Sequence, residues 1–410
     1  MLARVYSKLL SRLFIRPPVF FYNNENTSRN YEPMKFILAG FFLRILVAIW
    51  NGFFGPSIGA AGDALIFHEI AVQVSEFGLF DAKYNIGWVY SIFLGSIYSW
   101  TVNSIFLGSV LSCLAWLISA LVLDKTIKLL GVSKKYRDLA LVFYAFIPSS
   151  ILFTSVTLRE VYQLLFVNLL IYASLMILIQ KNKKFWFLAF FATIGMGSLH
   201  FGLVIYGTLG AILTFYFTSI RSNRAFSLEL LIFYVPAITF LAFGGINLIL
   251  ELVPFEFENG LASAVEAYQS GHNEARAQYA FQPEINSNFD LALFIPVNLF
   301  QYMLEPMPWK VTTPLDLALF LENVVRCTLI FYAIIGLRKV SPALASPLLF
   351  LVLMFFALEM LWALGTVNWG SAVRHHIPAL GILVIIGICF LDQGTHALPS
   401  LRKLPGTKKV

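Results

Sequence analysis

Apolar runs of membrane-crossing length recur along this chain and limit its fold more than any other feature. A spanning helix needs about 20 mostly apolar residues, rising 1.5 Å each, to cover a roughly 30 Å hydrocarbon core. Ten segments meet or approach that length: 36–54, 102–123, 139–157, 161–180, 185–199, 202–220, 228–250, 316–337, 343–364 and 376–392. The fifth and sixth come from one run, Phe185 to Ile220, which as a single helix would measure ~54 Å. A hairpin is therefore expected, broken within the glycine-rich stretch Gly195 to Gly202. Composition points the same way. Of 410 residues, 59% are hydrophobic and only 12% charged, about half the charge an ordinary soluble domain carries. The expected fold is all-α: a polytopic integral membrane protein, one membrane domain over 1–410, with about 10 transmembrane helices.

Charge sets the expected sidedness. Connections rich in Lys and Arg belong on the cytoplasmic face. Here they are the N-terminus (1–35), 124–138, 181–184, 221–227, Arg338-Lys339 and the tail (393–410). All fall on one side if two short apolar stretches, 86–99 and 289–304, do not cross and are instead interfacial or re-entrant helices. Both termini are then cytoplasmic, in a multi-pass arrangement in the plasma or inner membrane. Two long loops, 55–101 and 251–315, face outward. The second is acidic, with Glu251, Glu256, Glu258, Glu266, Glu274, Glu284, Asp290 and Glu305 against Arg276 and Lys310. The pI near 9.2 thus reflects cytoplasmic loops rather than nucleic-acid binding. The basic residues Arg4, Lys8, Arg12 and Arg16 are spread through the first 20 positions, which argues against a cleavable signal peptide. Cys113, Cys327 and Cys389 lie inside apolar runs, so neither a disulfide framework nor a metal site is expected.

The unusual residues gather on the expected outer side. From Asp63, the apolar positions Phe67, Ile70, Ala71, Val74 and Phe77 recur at helical spacing, as in a helix lying at the interface. Asp63 reads either as that helix's N-terminal cap or as a general base at the membrane surface. His68 and Glu69 follow it as substrate-binding candidates. Arg44 lies mid-span and needs a partner, either Glu359 or a substrate. Arg159-Glu160 reads as a local ion pair, or as a phosphate ligand with a second acid. His200 sits in the expected hairpin turn. Pro306-Met307-Pro308-Trp309 fixes a turn at interface depth, with Trp309 either a belt residue or a cavity wall. Arg374, with His375 and His376 beside it, is a cation on the side that should lack them. Its planar guanidinium suits a phosphate or diphosphate, anchoring to lipid headgroups being the plainer alternative.

Taken in order, these pieces resemble polytopic glycosyltransferases of the GT-C fold that use polyprenyl-phosphate-linked sugars. The resemblance rests on Arg44 before Asp63, Phe67 and Ala71. It continues through Pro148…Phe153-Thr154-Ser155…Arg159-Glu160, Pro308-Trp309 and Gly370…Arg374-His375-His376. It is nearest to bacterial members tied to surface polysaccharide. The resemblance implies inverting sugar transfer without a cofactor, Asp63 serving as base, Glu160 as a second catalytic candidate, and Arg374 holding the lipid phosphate. Arg44, His68, Glu69, Arg159, His200, Trp309 and His375 would complete the substrate site. The implied partners are a lipid-linked sugar donor, a glycan, lipid or protein acceptor, and membrane lipids. A repeat-unit polysaccharide polymerase would rely on outer-loop arginines, of which 251–315 holds only Arg276. A lipid-linked glycan flippase or transporter would show a charged central pathway and often inverted repeats.

Overall fold

The computed structural model describes residues 32–57, 61–78, 88–220, 276–279, 281, 287–340, 342–389 and 391, and in these it is helical. The helices are α1 (Glu32–Phe53), α2 (Asp63–Phe77), α3 (Trp88–Tyr98), α4 (Ile105–Leu129), α5 (Lys134–Phe146), α6 (Pro148–Phe153) and α7 (Glu160–Gln180). There follow α8 (Phe185–Leu199), α9 (Gly202–Ile220), α10 (Asn288–Leu304), α11 (Pro314–Lys339), α12 (Pro342–Gly365), α13 (Trp369–His375) and α14 (Leu380–Val384). Among the described residues six helices are long and apolar enough to cross a membrane, 34–53, 105–129, 160–180, 202–219, 314–338 and 344–365, and a seventh crossing results if 369–375 and 380–389 form one bent span.

The described residues thus hold six or seven of the ten expected spans, and where a segment differs the reason is local. Segment 139–157 is not one helix, because Pro148 lacks an amide proton and ends α5 at Phe146 before α6 begins. Segment 376–392 is helical only over 380–389, as α14 and its π-helical continuation Ile385–Cys389, and it meets α13 at a 74° bend across residues 376–379, where Pro378 interrupts the helix. Segment 185–199 forms a helix of only 15 residues. Segment 228–250 and most of loop 251–315 lie outside the described residues. The stretches 86–99 and 289–304 do form short apolar helices, α3 and α10.

The break in the Phe185–Ile220 run falls at His200-Phe201, between α8 and α9. Gly197 lies against Val204, and Gly207 against Thr193 and Met196. Contacts that spread symmetrically from one point mean the chain folds straight back on itself. α7 is the buried centre of the bundle, touching α4, α8, α9 and α12. At the other edge α3 packs on α2 through Gly95, where an added Cβ would stand 2.6 Å from the Ala71 carbonyl oxygen. Backbone cannot yield as a side chain tip can, so this glycine sets how closely α2 is held.

Candidate functional site

Six connections or helix ends meet at one end of the bundle: the start of α2, segment 154–159, the α8–α9 turn, the end of α12, and α13 with residues 276–279. The basic connections lie at the other ends of the same helices. α4 runs from Ile105 to Lys125 and Lys128, α7 from Glu160 to Lys181, and α12 back from Pro342, just past Arg338, to Gly365. The cluster and the cationic loops therefore occupy opposite ends of the described spans.

α2 begins at Asp63 itself, with Gly62 in the capping position. Asp63 is thus the first helical residue and not the cap. Its side chain reaches 311 residues ahead in sequence to Arg374, whose Nη1 donates to Oδ2 at 2.6 Å. The carboxylate is half exposed and the guanidinium mostly buried. Thr157 Oγ1 donates to the Ala64 carbonyl at 2.8 Å, tying the start of α2 to segment 154–159. α13, which carries Arg374, is capped by Asn368 accepting from the Ser371 amide at 2.7 Å. Backbone bonds from Tyr279 to Val367 and from Trp369 to Ala277, each 3.0 Å, brace it from residues 276–279.

Arg159 makes no ion pair with Glu160 among the described residues. Its Nη1 donates to the Leu199 carbonyl at 3.1 Å, and its guanidinium lies 5.7 Å from the Phe67 ring centre. Glu160 is buried under the first turn of α7 with Oε2 lacking a partner. His200 lies 4.6 Å from Trp362, and Trp362 stacks on His375 at 4.5 Å with planes 18° apart. Thr366 Oγ1 donates to the Trp362 carbonyl at 2.7 Å, which leaves His375 Nδ1 as the donor in its 2.8 Å contact with that hydroxyl. Asp63, Arg159, His200, His375 and Arg374 thus form one neighbourhood, joined through Phe67 and Trp362.

Burial, reinforced by the positive charge of Arg159, pushes the His200 imidazole down to about 3. A histidine that stays neutral when folded but accepts a proton when unfolded costs stability as pH falls from the unfolded value, about 6.5, toward 3. His200→Gln is therefore expected to lose less melting temperature than wild type between pH 7 and pH 5. Parallel thermal unfolding at the two pH values checks this, and equal losses would show the ring to be solvated.

Other candidates fall elsewhere. His68 Nδ1 contacts the Tyr98 hydroxyl at 3.0 Å on the flank of α2, where burial lowers its basicity, and Glu69 is exposed. Trp309 sits exposed on a single 3-10 turn, Pro308–Lys310. Arg44 is fully buried and bonded within the bundle, to Thr154 Oγ1 (2.7 Å), Ser150 Oγ (2.9 Å) and the Ala145 and Gly40 carbonyls (2.9 and 3.0 Å). Its expected partner Glu359 instead meets His376 Nδ1 at 2.6 Å. Arg276, the one arginine of loop 251–315, is held by both oxygens of Asp316 at 2.9 and 3.0 Å. Trp362 and Thr366 were missed in the sequence: Trp362 is hidden in an apolar run, and nothing in its spacing sets it apart. Among the described residues no cluster of three potential metal ligands occurs.

The fold and site define a polytopic helical membrane protein with a polar, arginine-bearing cluster at one end of its spans. Compared with protein-family models, curated proteins and solved structures, the chain matches none.

Proposed function

We propose that this protein is a membrane glycosyltransferase of GT-C type, moving a sugar from a polyprenyl-phosphate donor to a glycan, lipid or protein acceptor on the outer face of the cell membrane. The observation that carries the reading is the 2.6 Å contact between Asp63 and Arg374, with Arg159 and two histidines beside it. Its position opposite the Lys- and Arg-rich connections supports the outward placement. In this reading Asp63 removes the proton from the acceptor hydroxyl, whose oxygen then attacks the anomeric carbon from the face opposite the lipid phosphate. The bond from that carbon to the phosphate oxygen breaks, and the phosphate leaves with the electron pair and inverted configuration results. Arg374 and Arg159 stabilise the charge growing on the leaving phosphate, a role in which preorganised donors count most. His200 and Trp362 contribute an aromatic wall for the sugar. The engagement of Arg276 with Asp316 weighs against a polymerase that depends on a free outer-loop arginine.

The test is direct. Purified protein in lipid nanodiscs, given radiolabelled polyprenyl-phosphate sugars and an extract of surface-glycan acceptors, is expected to form labelled product. Movement of the lipid-linked sugar across liposomes without any transfer would reject the enzyme reading and favour a flippase.

A further inference from the structure

A cavity of about 420 Å³ lies between α5, α6, α11 and the bent segment formed by α13 and α14. That volume is within the range of small-molecule sites. Its walls are apolar, with Phe143, Phe146, Leu321, Leu329, Ile377 and Leu383 among them. Arg326 also lines it, a residue of the spanning helix α11 that is only 8% exposed. Along the helix axis Arg326 is about 18 Å from Pro314, well inside the span. A cation at that depth is costly and is usually paired or faces a polar cavity. The partner of Arg326 is the neutral side-chain oxygen of Asn323, and among the described residues no carboxylate lies within ion-pairing distance of it.

Three other polar residues of the cavity already have partners, Ser150 Oγ accepting from Arg44 Nη2 at 2.9 Å. His376 has both ring nitrogens occupied, by Glu359 Oε2 at 2.6 Å and the Tyr302 carbonyl at 3.1 Å. Glu322 accepts from the Ser149 amide at 2.8 Å, closing α6 onto α11. What remains is a guanidinium with donors to spare beside hydrocarbon walls. A free inorganic anion would leave those walls unfilled, and a neutral hydrocarbon would leave the charge unmet.

We propose that this cavity is a binding site for an amphiphile with a single anionic head, the head on Arg326 and the hydrocarbon chain against Phe146, Leu329 and Leu383. It is separate from the Asp63–Arg374 cluster, since Val373 and His376 of the same short segment face the cavity while Arg374 reaches Asp63. The site does not depend on the proposed transfer chemistry.

Full-length protein in phosphatidylcholine nanodiscs, titrated with radiolabelled dodecyl phosphate, tests it. Saturable binding is expected, at least 10-fold tighter than dodecanol, with inorganic phosphate failing to compete at equal concentration. Arg326→Gln and the cavity-filling Leu383→Trp should each weaken binding 10-fold or more. Arg326→Lys should keep most of it, and Arg374→Gln, which removes only dodecyl phosphate held at the Asp63–Arg374 cluster, should leave the Arg326-dependent component in place. Glu322→Gln, which still accepts from Ser149 but removes a negative charge, should bind equally or more tightly. Inorganic phosphate competing as well as dodecyl phosphate, binding indifferent to both Arg326→Gln and Leu383→Trp, or loss only in Arg374→Gln would each overturn the proposal.

Discussion

Arg44→Met is expected to destabilise the protein by about 3 kcal/mol or more, among the largest losses any single substitution here should cause. The cost follows from how α5 ends. Pro148 has no amide proton to offer, and the Ser149 amide, next in line for the Ala145 carbonyl, donates instead to Glu322 at 2.8 Å. Arg44 Nη1 supplies the missing donor at 2.9 Å, while Nε and Nη2 bind Thr154 and Ser150. The guanidinium carbon also sits over Trp116, 3.6 Å from its ring centre. Methionine fills the stem's volume but strips the Ala145 carbonyl and the Ser150 hydroxyl of the Arg44 donor, at about 1–3 kcal/mol for each group left unsatisfied, while Thr154 keeps its bond to the Ser150 carbonyl. Lysine should fall between the two, since one ammonium cannot span three directions as a planar fork does. Heating in the presence of a thiol-reactive dye offers a readout, because Cys113 and Cys389 are buried until the bundle opens. A melting temperature within about 2 °C of wild type would show that these bonds carry little. If Arg44 were a substrate contact, activity would fall while stability stayed level.

Arg44 also shows what the sequence conceals. Its cost in a span was legible, and so was the need for a partner. The partner was not, because a backbone carbonyl exposed by a proline break leaves no mark in residue identity. Glu359, the obvious carboxylate, is taken by His376. Apolar run length gave six spans closely, since hydrophobicity is summed over about 20 positions and tolerates local noise. It gave no straight helix at 139–157 or 376–392, where a single proline outweighs the run around it. The α8–α9 break was legible because one helix of that length could not fit a bilayer. Asp63, Arg159, His200 and Arg374 stood out singly as polar residues in apolar or wrongly charged surroundings. Their meeting is a product of helix packing, which pattern alone does not encode. Trp362 was hidden because it matches its apolar neighbours, whereas Arg326, inside the run 316–337, carries the same signal as Arg44.

Asp63→Asn and Arg374→Gln are expected to abolish or nearly abolish transfer, but through different kinetic parameters. Asparagine keeps the size and the hydrogen-bonding oxygen of aspartate, so α2 should still dock through Phe67, Ala71 and the Thr157–Ala64 bond. It cannot hold a proton taken from an acceptor. Loss of a general base typically lowers the rate about 10²–10⁴-fold, and kcat should bear that loss. Donor affinity should hold or improve, because a carboxylate no longer competes with phosphate for the Arg374 guanidinium. Arg374→Gln removes the donor itself. It should weaken binding of the lipid phosphate and also slow the chemical step, with about 10²–10³-fold lost in rate. Lysine at 374 should recover only part, lacking the two parallel N–H groups that grip an oxyanion. The single and double variants, assayed for transfer and separately for donor binding, distinguish these roles. If the contact were only a brace between α2 and α13, both substitutions would lower melting temperature together and leave kcat and donor affinity in their wild-type ratio. Full transfer by Asp63→Asn would remove Asp63 as the base, whatever became of the ion pair.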